Sequence, residues 1–300
     1  MFSAIASGFV LAAACCAATA QTEDIVEVAK FSAASKGAGP PPNWEPLTFP
    51  KIEKHTDYAL MKDGVAVVVK ATSNAAASGL TRKIEIDLKN YPIMHWRWKI
   101  DNVIQKSDVN SRDGDDYAAR IYVTFAYEPD KVSFGKKIKY QAGRALLGDI
   151  PIAAINYIWE SKTPKDTIVD NAYTDFVKMI VVESGAESAG QWMEEERNVY
   201  KDYKQAFGEP PPMISGVAIM TDTDNTGESA TAYYGDIVFA ASSTAGRIKR
   251  SESDTRSHQT YQSGRDRVGA RVSAVVPGRT SRMGKDLGDY GGVEDGGDDL

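Results

Sequence analysis

Cysteine is almost absent from the chain of 300 residues, and both cysteines, Cys15 and Cys16, lie in its first twenty residues. That segment is apolar, contains no charged side chain and ends in Ala-Thr-Ala before Gln21, which is typical of a cleaved secretory signal peptide. We therefore predict a signal peptide over residues 1–20 and a protein exported to the periplasm or the extracellular space. An uncleaved membrane anchor and a lipid on either cysteine are alternatives. Cleavage leaves no cysteine, which excludes disulfides, zinc thiolate sites and cysteine nucleophiles.

Histidine is also scarce, with only His55, His95 and His258, which are scattered along the chain. A Ser-His-Asp hydrolase and a histidine zinc site are therefore disfavoured, and no nucleophile elbow or phosphate-binding glycine loop is found. We predict no catalytic residues. The net charge of -6 argues against a nucleic-acid partner, and no apolar run after the leader is long enough to span a membrane. Nothing in the sequence indicates an oligomeric state.

Apolar periodicity is missing near both ends of the mature chain. Residues 241–300 are rich in Gly, Ser, Arg and Asp, with the basic side chains first and the acidic ones last. This composition predicts a disordered polar tail, because too little apolar surface can be buried to offset the entropy of ordering. Residues 21–42 end in Gly-Pro-Pro-Pro and are interpreted as a linker. Residues 43–240 remain as a single folded domain.

The dominant hydrophobic period of that domain is two. Apolar and polar side chains alternate around Ile84–Leu88, Trp96–Ile100 and Ile121–Phe125. Many short alternating segments separated by polar turns predict a mainly β protein, an antiparallel β-sandwich or jelly roll. Two short helical insertions are expected, at about Phe134–Leu147 and Arg197–Phe207. The consecutive residues Glu194, Glu195 and Glu196 are interpreted as a solvated helix start.

An acidic segment, Asp222–Glu228, follows the strand-like run Ile214–Thr221 and precedes Ala230–Phe239, so it is expected to form a hairpin tip. Alternating carboxylates, a hydroxyl and then a glycine resemble the first half of a calcium loop, which suggests a structural calcium. The alternative is that the acidic side chains cap the turn through backbone amides. The predicted metal ligands are Asp222, Asp224, Thr226 and Glu228.

Four motifs taken in order resemble the domain of unknown function 3047 family. They are His95–Lys99, Gly114–Val123, Asp222–Gly227 and Tyr233–Asp236, and the likeness covers about Trp44 to Phe239. The resemblance implies an exported bacterial protein with a β-sandwich similar to carbohydrate-binding modules. It implies no activity.

Cationic and aromatic side chains suggest where a ligand binds. Arg97, Lys99, Arg120 and Tyr122 lie on the polar faces of two strands, and neighbouring strands would join them into a patch for a carboxylate, a phosphate or a sugar acid. Exposed aromatic residues would stack on sugar rings, although large aromatics in a sandwich are more often core, where we place Trp96 and Trp98. The predicted ligand-binding residues are Arg97, Lys99, Arg120, Tyr122, Tyr157, Trp159, Tyr234 and Asp236.

Two functional hypotheses follow. The first is a non-catalytic exported module that binds carbohydrate or another cell-envelope ligand, including an acidic small molecule. The alternative is a glycan-processing enzyme that uses carboxylates from Asp115, Asp116, Asp222 or Asp224. Two carboxylates about 5 to 10 Å apart across an open cleft would favour the enzyme. Carboxylates bound to arginines or backbone amides would favour the binding module.

Overall fold

Strands dominate the part of the chain that a computed structural model describes, residues 25–126 and 153–241. The chain divides into two units, residues 1–244 and 245–300. The predicted signal peptide, the helix expected at 134–147 and all but the first residue of the predicted tail lie outside the described residues. Within them, no helix is long and apolar enough to cross a membrane.

Seven strands form the first of two sheets, sheet I. They are, in chain order, β1 (Ile25–Ala29), β2 (Gly37–Ala38), β4 (Asp57–Asp63), β5 (Ala66–Asn74), β7 (Ile93–Ile100), β12 (Met193–Asn198) and β14 (Ser229–Ala240). Their order across the sheet is β12-β7-β14-β5-β4-β2, and β1 pairs with β14. Every pairing in this sheet is antiparallel.

Seven more strands form sheet II. They are β3 (Glu45–Leu47), β6 (Ala77–Ile86), β8 (Ala119–Phe125), β9 (Ala154–Glu160), β10 (Ile168–Asn171), β11 (Thr174–Ser184) and β13 (Ile214–Asp222). Their order is β10-β11-β9-β8-β13-β6-β3. The chain reverses direction between β9 and β10 and again between β10 and β11, so β11 runs parallel to β9 and this sheet is mixed. The predicted mainly β sandwich is confirmed.

The core lies between the two sheets and follows from the period-two alternation of their strands. Trp96, Trp98 and Ile100 of β7 are buried against the inner face of sheet II. The ring centroid of Trp96 lies 5.4 Å from that of Tyr157, and the centroid of Trp98 lies 5.9 Å from that of Trp159. Such aromatic pairs contribute about 0.5–1.5 kcal/mol each beyond the burial of area. The prediction that Trp96 and Trp98 belong to the core is confirmed.

One α-helix, α1 (Val199–Phe207), lies within the described residues. Its N-cap, Asn198, accepts a hydrogen bond from the amide of Lys201, and it ends at Gly208, whose φ of 76° is the left-handed conformation of a helix stop. The helix begins two residues later than predicted. Residues 194–196 are not a helix start, because they pair with β7 as the edge strand β12. Two short 3₁₀ turns span Phe31–Ala33 and Arg112–Gly114.

The described residues that precede position 43 belong to the folded domain, so the prediction of a linker over residues 21–42 is wrong for this part. β1 pairs with the second half of β14, where Ile25 lies opposite Ala240. Val28 and Phe31 are buried in the core, and the ring of Phe31 lies 5.4 Å from that of Trp44. A five-residue strand among polar and small residues carries too short a pattern to be recognised in the sequence.

The acidic segment is not a hairpin tip. β13 belongs to sheet II and β14 to sheet I, so the residues between them cross from one sheet to the other. Asp222 and Thr223 are buried in this crossing, and the amide of Thr223 donates to the carbonyl of Ala76. Two strands joined by a short connection resemble a hairpin in the sequence. The local sequence does not show whether the two strands belong to the same sheet.

Candidate functional site

Arg120, on β8, is the centre of a buried acidic cluster. Its side chain is only 4% exposed and forms ion pairs with Asp222 and, at 3.6 Å, with Asp115. Burial raises the pKa of Asp115, and the nearby guanidinium acts in the opposite direction. Tyr122 lies beside the same arginine, with its ring centroid 5.6 Å from the guanidinium carbon. Arg120 is therefore part of a buried ion pair, and Tyr122 lies beside it. Neither residue joins a surface patch with Arg97 and Lys99, which lie on the other sheet.

The predicted metal ligands are divided between different roles. Carboxylate oxygens of Asp116, Asp222 and Asp224 lie within 4.8 Å of one another. Asp116 accepts hydrogen bonds from the amides of Asn225, at 3.3 Å, and Thr226, at 2.6 Å, and thus caps the crossing segment. Glu228 lies outside this group.

Glu228 instead accepts from the amides of Gln105 and Lys106, each at 3.0 Å. The hydroxyl oxygen of Thr226 accepts from the amide of Glu228 at 3.3 Å. The four carboxylates proposed for a glycan-processing enzyme, those of Asp115, Asp116, Asp222 and Asp224, lie near Arg120 or backbone amides. This arrangement favours the binding hypothesis. Asp116 was absent from the predicted ligand set, because it comes from a segment more than 100 residues away in the sequence.

Three of the aromatic residues predicted to contact ligand are core residues, so these predictions are wrong. Tyr157 and Tyr234 are fully buried, and Trp159 is 2% exposed. Their polar atoms are satisfied internally: the hydroxyl of Tyr157 donates to Asp202 at 2.8 Å, and the indole of Trp159 donates to the carbonyl of Gly185 at 3.0 Å. β9 is an interior strand of sheet II, and its alternate side chains face sheet I.

Two other aromatic residues, Trp192 and Tyr233, are partly exposed on the outer face of sheet I. Their ring centroids are 6.4 Å apart, and the ammonium of Lys99 lies 4.3 Å from the centroid of Tyr233 and 5.1 Å from that of Trp192. Asp63 accepts hydrogen bonds from Lys99, at 2.9 Å, and from the indole of Trp192, at 2.8 Å. These bonds lower the pKa of the Asp63 carboxyl. We name Arg97, Lys99, Trp192 and Tyr233 the aromatic–cation cluster.

Arg97 is the fourth residue of this cluster, and its contacts differ from those of Lys99. Its guanidinium carbon lies 4.6 Å from the centroid of the Trp192 ring. Its side chain also runs against Gly235, where a Cβ atom would come within 2.6 Å of the Arg97 Nε. Among the described residues, the guanidinium has no hydrogen bond and no ion pair within 4.0 Å, although its charge helps to lower the pKa of Asp63. A groove of about 210 Å³ beside it is lined by His95, Trp96, Arg97, Glu194, Glu195 and Asp236.

Asp236, another predicted ligand-binding residue, lines the same groove as Arg97, but its carboxylate has a structural partner. Its carboxylate accepts hydrogen bonds from the backbone amide of Ser32, at 2.8 Å, and from the Ser32 hydroxyl. It therefore ties the segment after β1 to β14. Of the eight predicted ligand residues, the structure brings Arg97, Lys99 and Asp236 to one surface.

Sequence reasoning missed Trp192 and singled out Tyr234 instead of Tyr233. The signal for Tyr233 was present, since side chains alternate along a strand and Tyr233 must point away from the core if Tyr234 points into it. Trp192 had no such signal, because it precedes β12 in a loop, and β12 itself was interpreted as a helix start.

Comparison with solved structures finds distant likenesses. A thermostable cellulase derived from Cel12A of Rhodothermus marinus is 13% identical, over 71% of this chain and 99% of that chain, with a TM-score of 0.35. Trichoderma harzianum endoglucanase 3, of family GH12, is 8% identical over 66% and 98%, with a TM-score of 0.31. The cellulose-induced protein Cip1 is 9% identical over 67% and 92%, with a TM-score of 0.28.

Among curated proteins, no sequence matches this chain. One family model does match, over residues 42–238, which is more than half of the chain and includes β3–β13 and nearly all of β14. The chain therefore belongs to the family described as protein of unknown function (DUF3047).

Proposed function

We propose that this protein binds carbohydrate at the aromatic–cation cluster and carries out no chemistry there. The observation that carries the proposal is the placement of two partly exposed aromatic rings beside two cations on one sheet face. Sugar rings present apolar C–H faces that pack on Trp and Tyr, while their hydroxyls need nearby polar groups. The cluster supplies both kinds of contact.

The cluster is held in place before any ligand arrives. Lys99 and Tyr233 project from neighbouring strands of sheet I, on which they are direct cross-strand partners. The indole of Trp192 is fixed by its hydrogen bond to Asp63, 2.8 Å away. Side chains that are ordered in the free protein lose less conformational entropy on binding, so this arrangement favours affinity.

The shape of the surface favours an extended ligand. The groove beside Arg97 has a volume of about 210 Å³. Pockets that enclose small molecules are larger, about 300–1,000 Å³. A polysaccharide chain lying across the strands would use many weak contacts along the face, whereas a free small molecule would be poorly enclosed.

We further propose that the ligand is an extracytoplasmic glycan. This step rests on the leader-like composition of residues 1–20, which is that of a signal peptide. A protein sent across a membrane would meet the polysaccharides of the cell envelope or of the surroundings.

Affinity electrophoresis and calorimetric titration of the full chain against a panel of soluble polysaccharides test the proposal. We expect at least one polymer to bind, and Trp192→Ala to weaken that binding about tenfold or more, because buried aromatic anchors dominate such contacts. The matched control is Tyr173→Ala, which removes an exposed aromatic ring from the turn between β10 and β11. The absence of binding to every polymer, or equal loss in both variants, would contradict the proposal.

A further inference from the structure

We infer that the preferred glycan is acidic and that Arg97 recognises the carboxylate of a uronic-acid residue. This inference rests on the proposed function and narrows it to one chemical class. It is carried by three observations: Arg97 has no ion-pair partner among the described residues, Gly235 approaches it closely, and its guanidinium lies against Trp192.

Arg97 differs from the other arginines of the described residues. Each of the other four has a hydrogen-bond or ion-pair partner within the protein: Arg82 with the carbonyl of Val28, Arg112 with that of Ala172, Arg120 with Asp222, and Arg197 with Asp202. Arg97 lies opposite Glu194 on the neighbouring strand, yet the two form no ion pair within 4.0 Å. Its planar fork of donors is therefore available to an external acceptor.

Gly235 sets the position of that fork. The residue lies in an irregular stretch of β14, where the pairing with β7 shifts between Tyr234 and Ile237. A Cβ at this position would meet the Cδ of Arg97 at 3.1 Å and its Nε at 2.6 Å. Only glycine lets the arginine side chain lie this close to the backbone, which is a recognised use of glycine within strands. Gly235 therefore leaves room for the Arg97 side chain at this place on the sheet.

The chemistry of this place matches a carboxylate more closely than a neutral hydroxyl. Lys99, the other cation of the cluster, is ion-paired with Asp63 at 2.9 Å and is largely neutralised. Arg97 has no ion-pair partner among the described residues, and an arginine side chain can bind a carboxylate in a bidentate manner. A uronic acid bears its carboxylate on the ring carbon that neutral hexoses use for a hydroxymethyl group. A ring that packs on the aromatic pair can therefore direct its carboxylate to the adjacent guanidinium.

Three acidic residues line the groove, Glu194, Glu195 and Asp236, and they limit the strength of each contact. Asp236 is occupied by Ser32, and Glu194 is exposed and lies opposite Arg97. A single uronic acid would thus gain little, whereas a polymer presents many copies and raises the effective concentration. We expect binding of polyuronates that weakens with salt, since exposed charges are screened.

The test uses two polymers with one backbone, polygalacturonate and its methyl ester, in which the carboxylates are blocked. We expect the full chain to bind polygalacturonate about tenfold more tightly than the ester. Arg97→Gln should abolish this preference, so that the two polymers bind with about the same affinity. Gly235→Ala should act in the same way, because it displaces Arg97 without removing it. Arg97→Lys keeps the charge but loses the fork, so its preference should be intermediate.

The control is Lys83→Ala, which removes an exposed cation from sheet II. Equal loss in Lys83→Ala and Arg97→Gln would overturn the inference, because general charge attraction would then explain it. If the protein binds both polymers equally and Arg97→Gln changes nothing, the inference fails while the proposed function stands. If neither these polymers nor any neutral glycan binds, both fail.

Discussion

At the scale of single residues, Asp116 explains how the crossing between β13 and β14 is held. Its two carboxylate oxygens accept from the amides of Asn225 and Thr226, so the turn is capped by a side chain. Asp222 forms an ion pair with Arg120, which leaves Asp224 as the carboxylate with the least support. Burial, followed by repulsion from Asp116, raises the pKa of Asp224.

This arrangement predicts how the protein responds to calcium. A chelator should leave the melting temperature unchanged, because capping by Asp116 already satisfies the turn. Asp224→Asn should leave stability unchanged or raise it by up to about 1 kcal/mol, since it removes a charge that burial and Asp116 both disfavour. Thermal melts with and without calcium provide the measurement. A rise of several degrees with calcium that disappears in Asp224→Asn would establish a metal site, since a ligand that binds only the native state stabilises it.

At the scale of elements, a pair of carboxyl groups connects the edge strand of sheet I with sheet II. Glu195 of β12 accepts a hydrogen bond from the indole of Trp98 at 3.1 Å and meets Glu183 of β11. Glu183 in turn pairs with Lys165 at 2.6 Å. Burial, and then the charge of Glu183, raise the pKa of Glu195 to about 7. Below this pKa the carboxyl of Glu195 is protonated and forms a hydrogen bond with Glu183, which keeps the two side chains together.

The raised pKa predicts a loss of stability as the pH rises. The ordinary pKa of this group is 4.5, so the folded state holds a proton that the unfolded state releases between pH 4.5 and about 7. Stability therefore decreases across that window and is fully present only below it. Glu195→Gln should reduce this dependence and raise the urea midpoint at pH 8 relative to the wild type. Glu187→Gln, on an exposed loop, is the control. An unchanged slope in Glu195→Gln would disprove the raised pKa of Glu195.

Local sequence patterns predicted most of the strands, but they could not predict which strands pair with each other. Alternation at Trp96–Ile100 and Ile121–Phe125 correctly gave β7 and β8 and their core faces. The same alternation placed Arg97 and Arg120 on polar faces, but it could not reveal that the two strands lie in different sheets. Strand pairing joins residues far apart in sequence, so it depends on the packing of the whole chain. The separation of the predicted patch into a buried pair and an outer cluster has this cause.

At the scale of the molecule, two truncated chains test the two boundaries of the domain. A chain that starts at residue 43 lacks β1 and Phe31, which fill part of the core. We expect it to lose more than about 3 kcal/mol of unfolding free energy, the usual cost of deleting a buried aromatic side chain. A chain that ends at Ala241 loses only the segment whose composition predicts disorder, so its melting temperature should stay nearly unchanged. A drop of several degrees in the second chain would show that the tail packs on the domain.

The position of β14 has a consequence for the order in which the domain forms during synthesis. β14 lies between β7 on one side and β5 and β1 on the other, although it is the last strand of the domain in sequence. Because a ribosome delivers the strands in order, sheet I has no centre until residue 240 has emerged. Pairs such as β4–β5 and β8–β9 can form earlier, but β5 and β7 are not joined until β14 has been synthesised. Completion of the last strand then joins both ends of the domain in a single late step.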